Sequence, residues 1–388
     1  MITTAFAYIS LLLIVAGTLR LLEAKTQWRI FTYLPAIVAL YFLVMVLSSI
    51  GVWQNTDAIN TTYSAVKSNV LPAMIFLMLL TADLRQIRKL GGKLLLAFLA
   101  ASVSIGIAFT VAFTLFQSWL LPDAWKTLAA LSGSWMGGTG NMVAVQLALD
   151  VSDASMGYTL LIDSIDYSLW VMLLLALVPY ASRFNQWTGA DAGLLEKVGA
   201  ELEKQAKQTS SLDETSSMLF LLALSFVVST LCQTLAATLP SGAFFTATAW
   251  TVTLVTILGV AAALTPIKRL YGASELSTIM LYLIVALIAS RANFAELTAA
   301  PVYIITGFVI LLIHGLLMLV IAKISKLDLF TCGIASLANI GGVASAPILA
   351  AAYSRALIPV GVLMALLGYI VGTGGGLLVG KILSVIAV

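Results

Sequence analysis

Apolar residues run along this chain in long unbroken blocks, near 3–22, 31–50, 69–82, 94–121, 155–180, 217–239, 243–264, 276–290, 301–322 and 358–383. Most approach the ~20 residues that a helix needs to cross a hydrocarbon core. Apolar and polar positions do not alternate within them, which argues against a membrane β-barrel. The pattern therefore predicts an all-α polytopic membrane protein. Two further apolar stretches are interrupted by glycines and small polar residues, Ser132-Gly133-Ser134-Trp135-Met136-Gly137-Gly138-Thr139-Gly140-Asn141 and Ser336-Leu337-Ala338-Asn339-Ile340-Gly341-Gly342-Val343-Ala344-Ser345. Broken backbone at membrane depth is tolerated only where protein buries it or a water-filled cavity borders it. Paired breaks in corresponding halves of a chain point to a transport site.

The one long polar tract separates the chain into a first half, residues 1–180, a linker, residues 181–216, and a second half, residues 217–388. Leu194, Leu195, Val198 and Leu202 recur at helical spacing inside the linker, which predicts a short amphipathic helix at the membrane surface. A shift of 204 positions places Gly137 and Gly138 on Gly341 and Gly342, Ser132 on Ser336, and Gly157 on Gly361. Gly368, Gly372, Gly376 and Gly380 form a small-residue face suited to close helix packing. The same shift brings Ser164, Ser168, Met172 and Ala176 onto that face. The halves read as a duplication.

Composition agrees with the pattern: 61% of residues are apolar and 10% charged, and the mean hydropathy is +1.06. These values exclude an ordinary soluble domain. The first block lacks a preceding basic residue and is followed by Arg20, Lys25 and Arg29, which reads as a retained helix, not a cleaved signal peptide. The distribution of charge then fixes an orientation. If each glycine-rich segment enters and leaves the membrane on one side, each half has five crossings and the halves are inverted. All Lys and Arg residues except Lys67, Lys126, Arg291 and Lys381 then face the cytoplasm, as the positive-inside rule requires. Full crossing by both segments would divide the charges almost evenly. The re-entrant arrangement places both termini outside a bacterial inner membrane. Trp28, Trp53, Trp119, Trp125 and Trp187 fall near predicted helix ends, as an aromatic belt would have them. The net charge of +3 reflects this topology, and nothing resembles a nucleic-acid surface. Cys232 and Cys332 read as small packing residues.

At the breaks, consecutive glycines let the backbone turn and approach a ligand. Ser134, Gly137, Gly138, Thr139 and Asn141 in the first segment, and Asn339, Gly341, Gly342 and Ser345 in the second, are the candidate solute-binding residues. The alternative role for the same polar groups is to satisfy the open backbone of a packed hairpin. Asp163 and Asp166 lie three apart in the helix after the first break and are the candidate ion-coupling pair. A mid-membrane Asp costs about 2.5–3.5 kcal/mol on insertion scales, so it must pair with a cation, share a proton or accept hydrogen bonds. Carboxylate and carbonyl oxygens suit sodium, which makes a sodium ion at Asp163 the one candidate metal. Leu367 and Ile370 stand at the equivalent places in the second half, so an ion site here is asymmetric. Asp83 reads as an interfacial cap, His314 as a packed histidine with a proton relay as the alternative, and Arg291 and Arg355 as loop residues or attractors of an anion. No phosphate-cradling loop, metal-ligand cluster or nucleophile motif occurs, which argues against ATP-driven transport and against a membrane enzyme.

Asp83-Leu84-Arg85, Ser134-Trp135-Met136-Gly137-Gly138 with Asn141, Asp163-Ser164, Ala338-Asn339-Ile340-Gly341-Gly342 and Leu367-Gly368-Tyr369 with Gly372 together resemble the YjcL-like family of bacterial integral membrane proteins. That family is grouped with the cation/proton antiporter and anion transporter superfamily, whose citrate and glutamate sodium symporters carry Gly-Gly-x-Gly re-entrant loops. Gly137-Gly138-Thr139-Gly140 matches that motif, and Gly341-Gly342-Val343-Ala344 departs at its last position. The resemblance implies secondary active transport, with one domain moving against a dimerising scaffold. It implies no particular solute. The resulting expectation is a sodium- or proton-coupled transporter of a small polar or anionic organic solute, without a cofactor, embedded in lipid. A monovalent cation/proton exchanger and a non-transporting scaffold are the alternatives.

Overall fold

A computed structural model describes residues 1–26, 35–82, 87, 90–190, 213–242, 246–292, 300–354 and 357–387, apart from the side chain of Ala344. The amphipathic helix expected at Leu194–Leu202, and Asp83, Arg85, Arg355 and Trp28, lie outside the described residues. Those residues form fifteen α-helices and no named strand. In chain order they are α1 Ala5–Thr26, α2 Ala36–Ser49, α3 Asp57–Leu80, α4 Gly91–Phe116, α5 Ala124–Gly137, α6 Thr139–Leu149, α7 Met156–Leu177, α8 Ala181–Thr188, α9 Glu214–Ala236, α10 Ala247–Ala263, α11 Ala273–Ala289, α12 Ala300–Ser325, α13 Leu329–Ile340, α14 Gly342–Tyr353 and α15 Ile358–Ile386.

Seven helices, counting α7 through α8 as one, are long and apolar enough to cross a membrane. The expected crossings at 31–50, 243–264 and 276–290 correspond to shorter helices, α2, α10 and α11. The apolar run at 69–82 is only the second part of a longer helix. It starts at Asp57, where the Thr56 side chain accepts from the Ile59 amide and caps the first turn. Asp213, Thr246 and Asp328 cap α9, α10 and α13 in the same way.

Two hydrophobic cores organise the bundle, and neither coincides with a half of the sequence. One joins α4, α5, α7, α12, α13, α14 and α15. The other joins α1, α2, α3, α9, α10 and α11, with α6 packed against it. Each core takes helices from both halves, so the linker divides the sequence but not the packing.

The α15 glycines supply the closest helix approach. A Cβ on Gly372 would stand 2.7 Å from the Gly137 Cα, and one on Gly376 would stand 2.9 Å from the Gly133 Cα. A Cβ on Gly380 would stand 3.0 Å from the Ala129 Cβ. The spacing of four on α15 thus meets the spacing of four on α5, running antiparallel. Only hydrogen at these positions lets the two backbones touch.

Candidate functional site

The glycine-rich segments fold as paired short helices. α5 stops at Gly137, the chain turns at Gly138 with φ +86°, and α6 starts at Thr139. α6 then runs back beside α5: a Cβ on Gly133 would lie 2.9 Å from Val145 Cγ2 and 3.1 Å from the Asn141 carbonyl oxygen. α13 and α14 repeat the arrangement around Gly341 and Gly342, the latter with φ +56°. The left-handed turn needs glycine at both places. The shift of 204 positions that superposes the sequence motifs also superposes these two turns. They meet, since a Cβ on Gly342 would sit 3.9 Å from the Gly138 Cα.

Bordering that meeting point is a half-open cavity of about 420 Å³ between the two helix groups. From the first group it is lined by Ser134, Gly138, Thr139, Gly140, Asp163, Ser164, Tyr167, Gly341, Gly342 and Tyr369. From the second it is lined by Arg20, Glu23, Met74, Met78, Ser277, Thr278 and Tyr282.

Asp163 accepts hydrogen bonds from Trp135 Nε1 at 2.9 Å and from Ser134 Oγ at 3.2 Å to either carboxylate oxygen. Both donors are neutral, and among the described residues no Lys or Arg pairs with it. The site therefore holds a carboxyl group oriented by two neutral donors. The carboxylate and the Ser134 hydroxyl are oxygen donors of the type sodium takes. Arg20 and Glu23 form an ion pair at 2.5 Å, with Arg20 half-exposed, and Glu23 also accepts from the Ala36 amide at 2.9 Å.

Of the residues expected to bind solute, Ser134, Gly138, Thr139, Gly341 and Gly342 line the cavity. Gly137 does not; its Cα is the surface on which Gly368 and Gly372 rest. Asn141 is fully buried, donating to the Gly137 carbonyl at 2.6 Å and accepting from Thr373 Oγ1 at 2.6 Å. Asn339 is fully buried too, bonded to Ser102 Oγ at 2.7 Å and to the Ala335 carbonyl at 2.8 Å. Ser345 is buried over Gly341. The two asparagines brace the hairpins from behind.

The aspartate pair divides as well. Asp163 faces the cavity, whereas Asp166 is fully buried toward α12, where a Cβ on Gly307 would collide with its carboxylate. Among the described residues neither Asp166 oxygen has a hydrogen-bond partner. Helical spacing of three leaves residues roughly 60° apart around the axis, enough at a helix junction to send neighbours to different partners.

His314 is fully buried and bonded on both ring nitrogens, Nδ1 to Ser104 Oγ at 2.7 Å and Nε2 to Ser336 Oγ at 2.8 Å. Trp170 Nε1 donates to Ser336 Oγ at 2.9 Å, and Ser104 Oγ donates to the Ala101 carbonyl at 2.8 Å. One proton assignment satisfies the whole chain: Nδ1–H donates to Ser104, and Nε2 accepts from Ser336. A neutral histidine so saturated ties α4, α7, α12 and α13 together, and it matches the packed reading. Arg291 donates to the side-chain Oδ1 atoms of Asn55 and Asn60 at 2.9 and 2.8 Å and lies 4.5 Å above the Tyr63 ring. Trp53 packs edge-on to Tyr8 and is buried, not part of an interfacial belt. Cys232 and Cys332 are free thiols.

Sequence reasoning missed Arg20, Glu23, Tyr167 and Tyr282 as cavity residues. Arg20 and Glu23 are three apart near the end of α1, and a charged pair inside an apolar block was the available signal. Comparison with known proteins places this arrangement in context. Residues 10–386 match the family described as "Protein of unknown function (DUF819)". The chain is also similar to the uncharacterized membrane protein YjcL of Bacillus subtilis strain 168, with 27% identity over 376 residues covering 93% of this chain and 92% of the relative.

Proposed function

We propose, on the premise that this chain belongs to the DUF819 family, that it is a cation-coupled secondary transporter of a small polar or anionic organic solute. The observation that carries this reading is the meeting of the Gly138 and Gly342 turns above a cavity that also contains Asp163. A multi-pass membrane protein has little other reason to gather two chain breaks, a carboxylate and empty volume at one interior point.

The four half-helices are 14, 11, 12 and 12 residues long. At 1.5 Å per residue each is about 16–21 Å, well short of a core ~30 Å thick. In this reading each pair enters the membrane and returns on its own side, the halves are inverted, and both termini lie outside the inner membrane. The amino-terminal ends of α6 and α14 turn their positive dipole ends to an anionic group of the solute. Carbonyls at the ends of α5 and α13 and the Asp163 carboxylate serve sodium or a proton. The group containing both hairpins moves as an elevator against the other group, which supplies a dimer contact.

A monovalent cation/proton exchanger is the second reading, favoured by the two carboxylates without a cationic partner on α7. The test is thermal stability of purified protein in sodium, in potassium and across pH, with Asp163→Asn alongside. A ligand at 100 times its Kd stabilises the folded state by about 2.7 kcal/mol. Sodium-specific stabilisation lost in Asp163→Asn supports the ion site, and proton release on adding sodium without solute favours exchange. Vesicles of Asp163→Asn that still drive uptake with the ion gradient would remove Asp163 from coupling. No response to any of these conditions would favour a scaffold.

A further inference from the structure

One carboxylate bolts the loop between α6 and α7 to α3. Lys67 Nζ lies 2.7 Å from Asp153 Oδ1, and Tyr63 donates its hydroxyl to Asp153 Oδ2. Lys67 Nζ also lies 3.0 Å from the Tyr63 hydroxyl. Gln146, from α6 itself, donates to Asp153 Oδ1 at 2.8 Å. Both members of the ion pair are mostly shielded, each side chain being 17% exposed. This is a built junction, since one carboxylate receives a cation and two neutral donors at fixed positions.

The junction joins the α6–α7 loop to the middle of α3, on the side where α6 packs against the second core. Asp153 belongs to the hairpin and α7; Lys67 and Tyr63 belong to α3. Seven residues separate Lys67 from the cavity-lining Met74 and eleven from Met78, or about 10 and 16 Å along α3 at 1.5 Å per residue. Between them the groups close over an apolar contact, for a Cβ on Gly140 would strike the Met78 side chain. The cavity's other wall carries Arg20, Glu23, Ser277 and Tyr282. Arg20 and Glu23 lie in the last turns of α1 and Ser277 in the first turns of α11, at the ends of those helices away from the junction, and Tyr282 lies midway along α11.

We infer that Asp153, Lys67 and Tyr63 form the outer latch of alternating access, which holds the inward-facing state and opens when the solute-carrying group moves outward. This rests on the transport reading above. Partly shielded pairs differ from surface pairs in that losing one partner strands the other charge, so the latch favours one state over the other by its presence alone.

The experiment places a cysteine at Thr139 in a Cys232→Ser, Cys332→Ser background and measures labelling by a membrane-impermeant maleimide added outside intact cells. Asp153→Asn should speed outside labelling about tenfold, and Tyr63→Phe, which removes one neutral donor, should speed it less. The exchange Lys67→Asp with Asp153→Lys should restore slow labelling. Labelling from the inside in inverted vesicles identifies folded variants, and Tyr63→Phe carries the test where Asp153→Asn does not fold. Unchanged outside labelling in the folded variants, or an exchange that behaves like the single change, overturns the latch. Sodium-dependent stabilisation of the same variants reads the transport hypothesis separately, since a failed latch leaves the Asp163 response intact.

Discussion

Replacing Gly376 by alanine tests the contact that holds the first hairpin in place. The added Cβ would lie 2.7 Å from Val145 Cγ2, 2.9 Å from the Gly133 Cα and 3.1 Å from the Gly133 nitrogen. Two of these atoms are backbone, so no rotamer change relieves the clash, and α15 must back away from α5. Overpacking of this kind costs about 1–3 kcal/mol, and a clash against backbone belongs in the upper half of that range. Alanine in place of glycine inside a helix returns about 0.8–1.0 kcal/mol. The net expectation is a loss of about 1–2 kcal/mol. Gly374 provides the internal control, because a Cβ there meets nothing within 4 Å. Gly374→Ala keeps the helix gain without the clash and should be neutral or slightly stabilising. Reversible unfolding in detergent, followed by circular dichroism, compares the two. If Gly376→Ala is as stable as Gly374→Ala, the backbone contact between α15 and α5 is not what the fold depends on, and the reasoning fails.

Two further substitutions test the bracing behind the cavity. Thr373→Val leaves the Asn141 side-chain Oδ1 without its 2.6 Å donor and should cost about 1–3 kcal/mol, read as a lower unfolding midpoint with sodium-dependent stabilisation retained. His314→Leu strands Ser336 beside Trp170 and should destabilise by a similar amount, whereas a relay role would require loss of pH-dependent transport in a protein of unchanged stability.

The hairpins were legible before the structure because their signal is local. Paired glycines flanked by small polar residues marked the two breaks, although Gly374-Gly375-Gly376 continue as helix in α15, and at Gly138 and Gly342 the backbone takes the positive φ that glycine alone accepts cheaply. The four-residue glycine spacing on α15 was legible for the same reason, as periodicity places those residues on one face. The partner of that face was not legible, because α5 and α15 are more than two hundred residues apart and many small-residue stripes would accept such a ridge.

Roles within the motifs followed the same division. Asn141 and Asn339 are the most polar side chains in their segments, and sequence cannot distinguish an amide that meets a solute from one that satisfies a backbone carbonyl. Only position relative to the cavity separates them. Asp163 and Asp166 look equivalent along the chain, yet a rotation of roughly 60° sends one to Ser134 and Trp135 and the other to Gly307.

The sequence alone determined the class of molecule, the location of its breaks and the residues that could bear charge inside the membrane, because hydropathy, glycine conformation and the cost of burying charge act over a few residues. The tertiary structure decided which breaks meet, which aspartate faces the cavity, and that Arg20 and Glu23 enclose it from α1. Those outcomes depend on how two interleaved groups of helices fill space together, a property of packing between distant segments that no local pattern encodes.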